Sequence, residues 1–268
     1  MSARAEPEAR RLQPHPRYRA DRLRMILDLV GADSTAAVAD LAETLGVSAA
    51  TIRRDLSQLA QHGLVVRSHG GALRAELAYE LPIRYRTTTQ VAEKRRIAAL
   101  AASLVEDRAV VGLTGGTTTM EVGRALATRQ NMTVVTNALN IGAELALRPN
   151  IRLVMTGGIA RSASFELSGP VAERTIQEYN IDVAFVGVDG FDPVAGCTTH
   201  NDSEALTNAM LVRRGARVIV VADSTKLGKV KFAQICTTDA VDLLVTDTAT
   251  SEEQVAAFER AGVEVWRT

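Results

Sequence analysis

The chain has 268 residues, more than one domain of ordinary size, so a small domain followed by a larger one of about 190 residues is the expected division. Its 31 basic residues balance 31 acidic ones, which excludes a polycation: any binding to nucleic acid has to come from a local patch. Two scattered cysteines, Cys197 and Cys236, exclude a disulfide framework, and no run approaches the roughly 18 apolar residues of a membrane span, so a cytoplasmic protein without membrane contact is expected.

Residues 1–20 are rich in arginine, proline and glutamate without an apolar stretch, and 1–17 are expected to be a disordered tail, although Arg10, Arg11, Arg17 and Arg19 could brush phosphates as an arm. Residues 18–74 read as a winged helix-turn-helix. Leu23, Ile26, Leu27 and Val30 recur at i, i+3, i+4 and i+7, and so do Val38, Leu41, Ala42 and Leu45. Gly46 suits a tight turn into a third helix, on which Ile52, Leu56 and Leu59 form the inward stripe. Ser48 is placed to cap its first turn and Gly63 to end it. About 13 residues at 1.5 Å rise make about 20 Å, which fits a DNA major groove.

The apolar run Leu64 to Val66, then Arg67 and a Gly70-Gly71 turn, suit a hairpin wing. Between Ser48 and Arg74 the charges are Arg53, Arg54, Arg67 and Arg74 against Asp55 alone, so the local field is positive. Ser48, Ala49, Thr51, Arg53 and Arg54 are therefore the candidates for reading base edges and phosphates, with Arg67 and His69 on the wing. An arginine pair on a helix is by itself an ordinary solvated face. Three short helices, a glycine turn and a basic hairpin together point to double-stranded DNA.

The stretch TIRRDLSQLAQHGLVVRSHGGA resembles the signature of the DeoR family of bacterial transcriptional regulators, in which it forms the recognition helix and wing. Ala36-Ala37 departs from that pattern, leaving the second helix without a hydroxyl to cap it. Residues 75–90 lose periodicity, with Pro82 and three successive threonines, and read as a linker. Glu80, Pro82, Glu93, Lys94, Ile97 and Ala98 resemble the start of the family's effector domain; the arginine of that pattern falls at Tyr85, flanked by Arg84 and Arg86.

From residue 91 to 268 a helix, Val91 to Val105, is followed by short apolar runs at Ala109–Leu113, Thr133–Val135, Ile151–Met155, Val183–Val186, Arg217–Val221, Leu243–Val245 and Val263–Val265. Helical stretches at Met120–Ala127, Leu139–Leu147, Ser203–Arg214 and Glu252–Ala261 separate them. Strands alternating with helices predict an α/β domain with a parallel, Rossmann-like sheet covered on both faces, whose binding crevice lies beyond the carboxyl ends of the strands. At those ends stand Gly115, Gly116, Thr117 and Thr118; Thr136 and Asn137; Gly157 and Gly158; Asp189 and Gly190; and Lys226. Small residues let backbone N–H groups approach an anion, a helix N-terminus adds partial positive charge and hydroxyls add donors, so the set suits a phosphate. Lys226 would add a full charge, and Asp189 could accept from sugar hydroxyls.

Neither GxxxxGK[ST] nor GxGxxG follows the first strand, so no nucleotide cofactor is expected. Cys197-x-x-His200 is half of a zinc pattern without a second half, so no metal is expected, and His200 with Asn201 could line the pocket. The arrangement resembles the DeoR effector domain, similar in fold to ribose-5-phosphate isomerase, which implies a phosphorylated sugar held by Gly116, Thr117 and Thr118, with Asn137, Asp189 and Lys226 completing the pocket. Where the isomerases carry a glutamate base, this chain has Pro193 to His200, so no catalysis is expected. The resulting expectation is a repressor of a sugar or polyol catabolism operon, a homodimer or homotetramer on operator DNA, relieved by the phosphosugar. The alternatives are a sugar-phosphate isomerase-like enzyme with an accessory DNA-binding domain, and an activator or architectural binder whose second domain only oligomerises.

Overall fold

The structure, a computed structural model, describes residues 19–33, 35–61, 64–68, 70–74, 82–87 and 89–268. The chain divides into two compact units, Met1–Tyr79 and Glu80–Thr268.

In the first unit, helices α1 (Arg19–Asp33), α2 (Val38–Leu45) and α3 (Ala49–Gln61) bury the expected stripes: Leu23, Ile26 and Val30; Val38, Leu41 and Leu45; Ile52, Leu56 and Leu59. Gly46 ends α2 in the left-handed conformation (φ 64°), as a two-helix turn needs. Ser48 caps α3, its Oγ accepting from the Thr51 amide at 3.2 Å. Gly63, expected to end that helix, lies outside the described residues. Arg19 is not part of a free arm: it opens α1 and donates to Asp55. The other arginines of that arm fall outside the described residues.

The wing has three strands, not two. Strands β1 (Thr35–Ala37), β2 (Val65–Ser68) and β3 (Gly71–Arg74) form an antiparallel sheet in the order β1-β3-β2. Gly70 has positive φ (90°) and makes the turn, whereas Gly71 already belongs to β3, where an added Cβ would lie 2.3 Å from the Ala36 carbonyl oxygen. The missing hydroxyl before α2 has a substitute in this sheet: the Val38 amide donates to the Gly70 carbonyl at 2.8 Å, so the wing turn caps the helix.

The second unit starts earlier than the expected linker end. Within 75–90, a short helix α4 (Ile83–Arg86) packs on it, with the Ile83 amide donating to the Ala163 carbonyl at 2.7 Å. Then follow α5 (Val91–Ser103), β4 (Val110–Leu113), α6 (Thr117–Leu126), β5 (Met132–Thr136), α7 (Leu139–Leu145), β6 (Ile151–Met155), a small ribbon of β7 (Ile159–Ala160) and β8 (Leu167–Ser168), and α8 (Pro170–Gln177). The rest comprises β9 (Ile181–Val186), β10 (Gly190–Asp192), β11 (Gly196–Thr199), α9 (Asp202–Arg214), β12 (Gly215–Val221), β13 (Ala233–Cys236), β14 (Leu243–Thr246), α10 (Glu252–Arg260) and β15 (Glu264–Arg267).

The main sheet is parallel throughout, in the order β15-β14-β12-β9-β4-β5-β6. Adjacent residues feed opposite faces. Val134 and Phe185 join a core with Ile97, Val122 and Leu126, while Val135 and Ala184 join one with Ile176 and Leu211, as the pleat of a sheet covered on both sides demands. From β4 the chain steps outward to β5 and β6, then returns to the other side of β4 as β9. The order therefore reverses between β4 and β9, where an open parallel sheet leaves its binding crevice. Strands β10, β11 and β13 form a separate antiparallel sheet beside that point.

Candidate functional site

On α3 the inward stripe leaves Arg53 and Arg54 exposed, with Ser48 exposed and Ala49 and Thr51 half-buried at the helix start. The helix's one acid does not share that face. Asp55 is buried, at 1% exposure, and its carboxylate accepts from Arg22 Nε at 2.6 Å and Arg19 Nε at 3.2 Å. Its charge is thus neutralised within the unit, and the charges on the outer surface of α3 are all basic. Arg67 on β2 is exposed and donates to Ser57 Oγ at 3.2 Å, which places a third cation beside the helix. Ser48's hydroxyl is engaged with Thr51, at 2.9 Å between their oxygens. His69 and the Arg74 side chain lie outside the described residues.

In the second unit, the loop after β4 and the loop after β9 abut at the reversal point. Thr114 Oγ1 accepts from the Gly187 amide at 2.9 Å, and an added Cβ on Gly187 would lie 2.8 Å from the Gly115 carbonyl oxygen. Gly116 is the residue before α6 and has φ 130°, a conformation that side chains disfavour. Helix α6 begins three residues before the expected Met120, so Thr117, Thr118 and Thr119 form its first turn. Such a turn leaves backbone N–H groups without intrahelical partners, pointing out of the helix end.

Beneath this loop is a polar cluster of which sequence reasoning named only Asn137. Glu166 is buried against Gly115, whose added Cβ would fall 2.2 Å from Glu166 Cγ. Asn137 Nδ2 donates to Glu166 Oε2 at 3.2 Å and to Asn208 Oδ1 at 3.0 Å, and Asn208 Nδ2 donates to Glu166 Oε2 at 2.9 Å. Asn137 Oδ1 is buried with no hydrogen-bond donor among the described residues. Burial, then the neighbouring Glu204 and, further off, Asp189 push the Glu166 carboxyl up to about 8, against the two amide donors, so it is protonated at neutral pH. Glu204 accepts from Ser164 Oγ at 2.5 Å and from Arg161 Nη1 at 3.1 Å. Glu204 and Asn208 lie four residues apart on the buried face of α9. Beside Asn137, that polar pair was the other signal of the cluster visible in the sequence.

In the loop after β9, Asp189 gathers cations. Arg86 Nη1 lies 2.7 Å and Lys226 Nζ 3.8 Å from Asp189 Oδ1, while Thr199 Oγ1 donates to Oδ2 at 2.9 Å. Burial raises the Asp189 carboxyl, but Arg86, Lys226, His200 and the Thr199 hydroxyl outweigh it and hold the group below its ordinary value, hence ionised. Lys226 is lowered, chiefly by burial, with Asp189 opposing. Arg86 comes from the expected linker, next to the pattern position that falls at Tyr85.

Other expected residues have structural tasks. Thr136 Oγ1 donates to the Leu113 carbonyl and accepts from the Ala138 amide, so its hydroxyl serves the β5 end. Gly158 (φ 114°) allows close approach of β8, an added Cβ lying 2.7 Å from the Ser168 carbonyl oxygen; Gly157 (φ 70°) precedes it. Gly190 admits the Lys229 carbonyl, 2.3 Å from an added Cβ, and Asn201 caps α9 by accepting from the Glu204 amide. Cys236 is not isolated: it stands opposite Cys197 across β11 and β13. Among the described residues no group of three or more His, Cys, Asp or Glu side chains is arranged to hold a metal ion, and no helix is long and apolar enough to cross a membrane.

Comparison with known proteins follows this division. A profile described as DeoR-like helix-turn-helix domain matches residues 22–77, and one described as DeoR C terminal sensor domain matches residues 89–248. The HTH-type transcriptional regulator GlpR of Haloferax volcanii is 36% identical over 92% of this chain and 96% of its own. The glycerol-3-phosphate regulon repressor of Escherichia coli is 30% identical over 83% of this chain and 88% of its own. Ribose 5 phosphate isomerase A from Neisseria gonorrhoeae superposes with a TM-score of 0.40 at 18% identity, covering 52% of this chain and 55% of that one.

Proposed function

The chain belongs to the DeoR family of transcriptional regulators, and from that premise we propose that it represses a sugar or polyol catabolism operon and is released from operator DNA by a phosphorylated sugar or polyol. It is a regulator, not an enzyme: relatives that match it over most of its length are named as regulators. Helix α3 enters the major groove, where Thr51, Arg53 and Arg54 meet base edges and phosphates, and Arg67 on the wing meets the backbone. The observation that carries this half is the inward, neutralised Asp55, which leaves α3 only cations to present.

The crevice between β4 and β9 takes the effector. Its phosphate lies on the Gly116-Thr117-Thr118 turn, drawn by the helix end and by Lys226, and its hydroxyls meet Asn137 and Asp189. The buried, unpartnered Asn137 Oδ1 supports a ligand that brings a hydroxyl donor. Operators read as repeated half-sites fit a homodimer or homotetramer. For release from 99:1 to 1:99, the effector has to favour the non-binding state by about 5.5 kcal/mol, a demand that a dianion among cations can meet.

A panel of phosphosugars and glycerol 3-phosphate, screened by thermal melting and by gel shift on the operator, tests this. One member should raise the melting temperature and release DNA, and Lys226→Ala should weaken both responses. If no phosphorylated compound changes either readout, the effector assignment is wrong.

A further inference from the structure

Arg86 sits where two parts of the protein's task meet. It closes α4, the first described helix after the first unit ends at Tyr79, and its guanidinium lies in the crevice assigned to the effector. The backbone around it is clamped to the rest of the second unit. Ile83 is buried and its amide is held by the Ala163 carbonyl, while Lys94, buried on α5, donates from Nζ to the Arg86 carbonyl at 3.1 Å and to the Thr89 carbonyl at 2.7 Å. Thr89 Oγ1 also donates to the Arg86 carbonyl, at 3.0 Å. A shift of the Arg86 side chain therefore pulls on a short, tightly bonded segment leading back toward the DNA-binding unit.

The charge arrangement says what would shift it. Arg86 and Lys226 face the carboxylate of Asp189, and Asp223 and Lys231 also act on Lys226, so three cations stand against two carboxylates and the cluster carries surplus positive charge. Glu166, the next acid inward, is neutral and does not offset that surplus. A guanidinium has five donors in a planar fork and forms its strongest bonds with carboxylate or phosphate, so a phosphate in the crevice competes directly with Asp189 for Arg86.

We infer that Arg86 is a ligand-contacting residue that passes from Asp189 to the bound phosphate, and that this transfer carries the effector signal into residues 83–90. The inference rests on the reading of the crevice as the effector site. It adds a phosphate contact supplied by the first helix of the second unit, so that binding and signalling share one side chain.

Glycerol 3-phosphate and, separately, inorganic phosphate are titrated into the full-length wild type, Arg86→Gln and Arg86→Lys, with affinity read from melting shifts and the backbone response from hydrogen exchange of residues 83–90. In the wild type, ligand should change exchange in that segment. Arg86→Gln should lose roughly ten- to hundredfold in affinity, the worth of a charge-assisted hydrogen bond, and its 83–90 exchange should stay constant even at saturating ligand. Arg86→Lys keeps the charge without the fork; it should recover part of the affinity, and it serves as the readout if Arg86→Gln does not fold. Wild-type affinity in both variants, or an unchanged exchange response in Arg86→Gln, overturns the inference while the crevice assignment stands. A wild type that binds neither compound overturns the crevice assignment and this inference with it.

Discussion

Glu166→Gln isolates the energetic consequence of burying an acid beneath the Gly115 loop. In the folded chain the carboxyl titrates near 8 rather than at its ordinary 4.5, because burial and the nearby Glu204 and Asp189 disfavour the charge. Between those values the native state holds a proton that the unfolded chain has released, so stability falls as pH rises. The contribution is whole below about pH 4.5 and is lost as pH passes through 8. At 1.36 kcal/mol per pH unit, the window amounts to on the order of 5 kcal/mol.

Glutamine keeps the shape, can present its oxygen to Asn137 and Asn208, and places an N–H donor where the protonated acid has its O–H. It has no proton to lose. The wild type should therefore lose stability relative to Glu166→Gln on going from pH 5.5 to 8, and the difference should level off above that. Other titrations, including that of Asp189 at the acid end, are common to both proteins and cancel. Urea unfolding followed by Trp266, the chain's single tryptophan, on β15, reads the second unit alone. Parallel curves for the two proteins from pH 5.5 to 9 would refute the reasoning, since they would mean that Glu166 is already ionised in the native state.

Three further substitutions test the remaining parts. Arg54→Ala should weaken operator binding by about 1 to 3 kcal/mol in a gel shift, the worth of a bidentate base contact, with the phosphosugar melting shift retained; loss of both responses would contradict the division of tasks. Asp55→Ala leaves Arg22 partly buried without its carboxylate, so the first unit should lose about 3 kcal/mol, seen as an earlier loss of helical circular dichroism. Gly115→Ala puts a methyl 2.2 Å from Glu166 Cγ and should cost about 1 to 3 kcal/mol by overpacking, with the phosphosugar response reduced. A fully stable, fully responsive variant would show that Glu166 can move aside.

What the sequence made legible were features whose causes are local. The stripe Ile52, Leu56 and Leu59, the Ser48 cap and the Gly46 turn are each decided within a few residues, and the apolar runs of the main sheet are strong because both faces are covered. Strand β1 was illegible because Thr35–Ala37 has no pattern of its own and is a strand only through its register with β3. Helix α8 was missed although its apolar residues do fall on one face, because its eight residues bury just Ala172 and Ile176, and α6 starts on three threonines that carry no apolar pattern. The site shows the same limit more sharply. Glu166 meets Asn208 across 42 residues and Arg86 meets Asp189 across 103, contacts that tertiary packing alone creates.

The two acids of the crevice illustrate why such contacts matter. Asp189 and Glu166 have similar intrinsic chemistry, yet one is ionised among cations and the other is neutral among amides. In an enzyme that split would supply a base and an acid. Under the proposed function it bears on binding instead. If the crevice takes a dianion, as proposed, two charged carboxylates beside it would each repel the ligand at short range in a poorly screened site. Neutralising Glu166 by burial removes one repulsion, and pairing Asp189 with Arg86 and Lys226 leaves the other as an exchangeable partner. Raising the pH through 8 should reintroduce the first repulsion, so phosphosugar affinity should fall there in the wild type and hold in Glu166→Gln. Equal losses in both proteins would place the cause elsewhere.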